Sequence, residues 1–149
     1  METILEQEIE RQEMNRGKNK KSNRLSGKIM VIEDDMLMRP LLLGFLTDHE
    51  VLLANSGEEA LDMFEKKIKV DVVICDYHMR KYNGVETIQR IRKISPKTKF
   101  ILMSGSEPGE LSNLALQANA DAWLNKPFSE EILNQQVKAL LALEVPAAV

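Results

Sequence analysis

The segment Lys28-Ile29-Met30-Val31-Ile32-Glu33-Asp34-Asp35 places four consecutive apolar residues against three acids. Such a run is too short for an amphipathic helix and does not alternate, which fits a strand covered on both faces. Downstream, the same pattern repeats. A helical stretch follows with Leu37, Leu41, Leu42, Phe45 and Leu46 on one side, and Pro40 inside it predicts a late start or a kink. Val51 to Ala54 reads as a second strand. Ser56 opens a helix, Glu59 completes a capping box, and Ala60, Leu61, Phe64 and Ile68 form its apolar face. Val70 to Cys75 is a third strand that stops on Asp76. The Asn83-Gly84 turn leads into a helix with Val85, Ile88 and Ile91 on one stripe. Phe100 to Met103 is a fourth strand, followed by Ser104. Leu111, Leu114, Ala115 and Ala118 mark a helix, and Ala122-Trp123-Leu124 a short fifth strand followed by Lys126. Ser129 caps a last helix buried through Ile132, Leu133, Val137, Leu140 and Leu141, with Phe128 stapled onto Leu133.

Five strands alternating with five helices call for a parallel sheet with helices on both faces. Such sheets carry their sites at the carboxyl ends of the strands, near the point where strand order reverses. Glu33, Asp34, Asp35, Asp76, Ser104 and Lys126 all follow apolar runs, so this architecture gathers them. Clustered carboxylates repel and raise one another's pKa. A hard divalent cation relieves that cost, and Mg²⁺, which keeps several waters, suits the approach of a phosphate. One carboxylate can then act as nucleophile toward phosphorus. The cation and a lysine offset charge on the phosphoryl oxygens, and a serine hydroxyl can donate to one of them.

The rest of the sequence sets bounds. The chain has 149 residues and a formal charge of −3, with the composition of an ordinary globular protein. Cys75 is the single cysteine, so no intramolecular disulfide forms; it reads as a small buried strand residue. No apolar run is long enough to span a bilayer and no signal peptide is legible, so a cytoplasmic protein with no membrane association is expected. Residues 1–14 hold five glutamates against Arg11 alone, with Ile4, Leu5 and Ile9 able to line a short helix. Residues 15–28 hold six lysines and arginines and no acid, and read as a basic linker. Three regions are expected: an extension over 1–27, a domain over 28–143, and a tail over 144–149. No helix-turn-helix or zinc module is legible, so no DNA-binding domain is expected.

Four segments carry a family resemblance: Val31-Ile32-Glu33-Asp34-Asp35, Val73-Ile74-Cys75-Asp76-Tyr77-His78-Met79, Leu102-Met103-Ser104-Gly105, and Ala120-Asp121-Ala122-Trp123-Leu124-Asn125-Lys126-Pro127-Phe128. In this order, with 42, 28 and 22 residues from Asp34 to Asp76, to Ser104 and to Lys126, the chain resembles the receiver domain of bacterial response regulators. The resemblance implies a flavodoxin-like (βα)5 fold, doubly wound, with strand order 2-1-3-4-5. It implies Asp76 as phosphoacceptor and Mg²⁺ held by Glu33, Asp34, Asp76 and the backbone carbonyl of His78. Lys126 would pair with Asp76 and then with the phosphoryl group, aimed by a cis peptide before Pro127. Ser104 and Trp123 would form the switch. The implied partners are a sensor histidine kinase or histidine phosphotransfer protein, and a downstream protein at the face of the fourth helix, fifth strand and fifth helix. A second copy of the chain is a further candidate partner. Two positions depart from the family pattern: Arg80, where proline is common, and Pro40 in the first helix.

The expected function is a single-domain regulator that modifies itself and turns over no separate metabolite, and so is not counted as an enzyme. A phosphorelay shuttle and a phosphate-independent interaction module are the alternatives. A phosphatase of the haloacid dehalogenase type fits less well, because its nucleophile follows the first strand and an Asp stands where this chain has His78. Plain readings stand beside these roles: Asp35 as a cap, Trp123 as core, and the His78 side chain as a solvent-facing loop residue. His49 is expected at the surface.

Overall fold

The computed structural model describes residues 26–143. The expected helix and linker over 1–25, and the tail over 144–149, lie outside the described residues. Five parallel strands, β1 (Lys28–Ile32), β2 (Glu50–Ala54), β3 (Val72–Asp76), β4 (Lys99–Ser104) and β5 (Ala122–Asn125), form one sheet in the order β2-β1-β3-β4-β5. Between and after them run α1 (Met38–Phe45), α2 (Gly57–Glu65), α3 (Gly84–Ile94), α4 (Pro108–Ala118) and α5 (Glu130–Leu143). The parallel sheet between two helical layers is the one the alternation calls for, and its strand order is the flavodoxin-like, doubly wound one that the resemblance implies.

Side chains alternate across each strand. Met30, Ile32, Val73, Cys75, Phe100 and Leu102 face a core completed by Phe64 of α2, Ile88 and Ile91 of α3, and Leu111 and Ala115 of α4. Ile29, Val31, Val72, Ile74, Ile101 and Met103 face the other way, onto Leu42 and Leu46 near α1 and Leu133, Val137 and Leu140 of α5. Both faces of the central strands are therefore apolar, which explains the uninterrupted runs in their sequence.

Some local expectations change. Helix α1 does start late: Pro40 lies in its first turn, where the missing N–H costs no helical bond. Leu37 precedes the helix and is 85 % exposed, and Leu41, a third of a turn from buried Leu42, is also exposed. Ile132 likewise points outward from α5. The capping box expected at Ser56 is half formed: Ser56 Oγ accepts from the Glu59 amide at 3.1 Å, but the Glu59 carboxylate takes Asn55 Nδ2 at 3.0 Å. A complete box stands instead at Asn83 and Glu86, opening α3. Strand β3 begins at Val72 rather than Val70, because Asp71 turns its carboxylate onto the Lys28 amide at 2.8 Å. His49, expected at the surface, is fully buried; its Nδ1 accepts from the Gly27 N–H at 3.1 Å, where β1 and β2 begin to pair.

Candidate functional site at the carboxyl end of the sheet

The register assembles the site. Ile32 pairs with Cys75, so Glu33 and Asp76 leave adjacent strands side by side. Asp76 pairs with Met103, and Ser104 with Asn125, which brings Ser104 and Lys126 to the same end. The Tyr77 N–H donates to the Met103 carbonyl at 2.8 Å, and the Lys126 N–H to the Ser104 carbonyl at 2.8 Å, so the backbone on both sides is held.

Glu33 is 1 % exposed and Asp76 5 %. Lys126 Nζ donates to Asp76 Oδ1 at 3.1 Å and to Glu33 Oε2 at 3.2 Å. The other Glu33 oxygen accepts from the Asp35 N–H at 3.2 Å. Burial, and then the negative charge of Asp76, push the Glu33 carboxyl above its ordinary 4.5, with Lys126 and the Asp35 amide pulling the other way. For Lys126, burial opposes the charged form, but attraction to Asp76 and Glu33 outweighs it and raises the ammonium above 10.5. Cys75, wholly buried, is pushed well above 9.0 by burial, with Asp76 and Glu33 adding to it, so its thiol stays protonated and inert.

Asp34 is exposed and brings a third carboxylate: one oxygen each of Glu33, Asp34 and Asp76 lie within 4.8 Å of one another. One ammonium against three clustered carboxylates leaves excess negative charge, and an all-oxygen donor set with an exposed side fits a hard, partly hydrated cation such as Mg²⁺. Solvent reaches this side through a cleft of about 460 Å³ lined by Asp34, Asn55, Ser56, Met79 and Arg80. Asp35 stays out of the cluster; its carboxylate accepts from the Leu37 N–H at 2.9 Å in the turn ahead of α1, and the expected cap does not form, because Leu37 holds the cap position and the helix has no side-chain cap bond. His78 is exposed in the loop after β3, its ring edge-on to Tyr77 with centroids 4.9 Å apart.

Ser104 is fully buried, and its hydroxyl meets Ser106 Oγ at 2.8 Å. Trp123 on β5 is 43 % exposed, so it is not a core residue. The Lys126–Pro127 peptide is cis. In the loop after β3, Lys81 is tied to Glu58 at 3.0 Å and Arg90 stacks over Tyr82, while Arg80 faces the cleft. Sequence reasoning missed Gly84. A Cβ there would lie 2.6 Å from the Asp76 carbonyl oxygen and 2.9 Å from Tyr77 Cα, so only glycine lets α3 start this close to the acidic strand end. The Asn83-Gly84 pair carried the signal.

The family model described as response regulator receiver domain matches residues 29–138. The chain is 33 % identical over 118 residues to the transcriptional regulatory protein CpxR of Escherichia coli strain K12, covering 76 % of this chain and 49 % of that protein. It thus spans about half the length of that curated relative. Among solved structures, Vibrio cholerae chemotaxis protein CheY4 superposes with a TM-score of 0.70 at 26 % identity, over 77 % of this chain and 98 % of that one. A response regulator receiver domain protein from Clostridium thermocellum gives 0.71 at 30 % identity, over 78 % and 94 %. Among the described residues, no helix is long and apolar enough to cross a membrane.

Proposed function

This chain belongs to the response regulator receiver domain family, and on that premise we propose that it takes a phosphoryl group onto Asp76, assisted by Mg²⁺, and signals by protein contact. The observation that carries the reading is the Lys126 ammonium bridging buried Asp76 and Glu33 at 3.1 and 3.2 Å, with Asp34 closing the acidic cluster. Glu33, Asp34 and Asp76, with the His78 carbonyl, would hold the cation. Bound there, Mg²⁺ offsets carboxylate repulsion and the charge on the phosphoryl oxygens.

The residues divide the work. Asp76 presents a carboxylate oxygen to the phosphorus of a phosphohistidine on a kinase or phosphotransfer protein. The O–P bond forms as the P–N bond breaks, and the departing imidazole nitrogen takes a proton from water. Lys126 exchanges its contact with the free carboxylate for one with a phosphoryl oxygen. Ser104 turns its hydroxyl to another oxygen, and Trp123 rotates into the space left, reshaping the face of α4, β5 and α5 for a downstream protein. Phosphorylation thus acts as a local electrostatic event that biases a two-state element. The chain modifies itself and turns over no separate metabolite.

Intact mass after incubation with Mg²⁺ and acetyl phosphate tests this. The wild type is expected to gain one phosphoryl group, with none gained without Mg²⁺ or in Asp76→Asn. A gain that survives in Asp76→Asn puts the acceptor elsewhere and sinks the reading.

A further inference from the structure

Ser104 is buried, yet its hydroxyl is already engaged. It accepts from the Ser106 N–H at 3.1 Å and meets Ser106 Oγ at 2.8 Å. A serine hydroxyl has one proton and two lone pairs, so these two contacts take most of its capacity. The surrounding backbone is pinned: the Ser104 carbonyl accepts from the Lys126 N–H at 2.8 Å, and the Ser106 carbonyl from Asn125 Nδ2 at 2.9 Å. What remains free is the torsion of the Ser104 side chain. Reaching an oxygen on Asp76 requires the hydroxyl to leave Ser106.

We propose that Ser106 is a positioning residue that latches Ser104 in the resting rotamer and so sets how readily the chain switches. This rests on Asp76 being the phosphoryl acceptor. Ser106 is only half-buried, so once released its hydroxyl is hydrated, and the bond to Ser104 counts for the resting state alone. Ser106→Ala removes one of the two contacts and leaves the amide donor in place. A net hydrogen bond of this kind corresponds to about fivefold in an equilibrium constant.

The test is a titration of the full chain with beryllofluoride in Mg²⁺, read by fluorine NMR of the bound ligand. Ser106→Ala is expected to lower the midpoint about fivefold. Ser106→Thr, which keeps the hydroxyl, is expected to restore the wild-type midpoint. In a Ser104→Ala background, Ser106→Ala should change nothing further. An unmoved or raised midpoint in folded Ser106→Ala, or the same shift without Ser104, overturns the latch while the receiver reading stands. A wild type that binds no beryllofluoride overturns the receiver reading and the latch with it. Without ligand, hydrogen exchange of the Ser106 amide should be slow in the wild type and faster in Ser104→Ala; equal rates overturn the latch independently of any phosphate chemistry.

Discussion

At the amino end of the sheet, Arg92 of α3 reaches Asp121 ahead of β5, with nitrogen and oxygen 3.1 Å apart. The same Asp121 oxygen accepts from the Phe100 N–H at 2.8 Å. Arg92 also donates to the Asn119 carbonyl at 2.6 Å and lies 4.8 Å above the Phe100 ring. One cation meets one anion, and a strand amide helps to satisfy the carboxylate. At the carboxyl end, Lys126 faces two buried carboxylates with Asp34 beside them, and the charges do not close. Ordinary ion-pair residues serve both places. Where the charges balance, the pair ties elements together; where they do not, the fold keeps a surplus that an incoming cation or phosphoryl group can change.

Removing the cation from each end separates the two most strongly. Lys126→Ala strands two carboxylates out of water and is expected to lose about 3 kcal/mol of stability. Millimolar Mg²⁺ should recover part of that loss, since on the proposed reading the metal would neutralise the same carboxylates. Urea unfolding with and without Mg²⁺ measures both. A Lys126→Ala chain as stable as wild type in the absence of metal would mean that the cluster is more hydrated than its burial indicates.

Gly84→Ala probes the same end through sterics. Its Cβ would press on the Asp76 carbonyl oxygen, Leu102 Cδ1 and Tyr77 Cα, two of them on backbone that cannot yield. The expected loss is about 2 kcal/mol, with phosphoryl uptake falling as Asp76 shifts. Full uptake with lowered stability would show that the strain is relieved on the α3 side. At the balanced end, Arg92→Ala leaves Asp121 partly exposed and still bonded to the Phe100 amide. About 1 kcal/mol should be lost, unchanged by Mg²⁺. A Mg²⁺-sensitive loss in Arg92→Ala would erase the distinction between the two ends.

The architecture was legible because each central strand is apolar on both faces and stops abruptly on a polar residue. For the same reason the sequence pattern alone puts Glu33, Asp76, Ser104 and Lys126 at one end of the sheet. Less legible were features that depend on a distant partner. His49 gives no periodic signal, and its bond partner Gly27 is 22 residues away. Arg92 and Asp121 are 29 apart. Leu37, Leu41 and Ile132 look like core in sequence, but Leu37 precedes α1, and Leu41 on α1 and Ile132 on α5 point outward. Glu59 stands at capping-box spacing, yet Asn55 competes for its carboxylate. Ser106 carries no such signal, because a Ser-Gly-Ser segment reads as a loop and only the fold buries the first hydroxyl against the second.

Glu33→Gln gives the smallest effect and the sharpest distinction, because its sign reverses with metal. The Glu33 carboxyl is raised above 4.5, first by burial and then by Asp76. A raised carboxyl favours the folded state fully below its unfolded value, and this contribution is lost as pH rises through the folded value. Without metal, the wild type therefore gains on Glu33→Gln as pH falls through the titration of Glu33. At neutral pH the amide, which carries no charge to desolvate, should be the more stable by about 0.5 kcal/mol; the margin is small because Lys126 loses one of its two carboxylates. On the proposed reading Mg²⁺ would bind the ionised form, so at neutral pH saturating metal should make the wild type the more stable. Urea midpoints of both chains across pH 4 to 8, with and without Mg²⁺, read out the reversal. If the amide kept its advantage in Mg²⁺, Glu33 would lie outside the metal's reach, and the surplus charge at this end would belong to Asp34 and Asp76 alone.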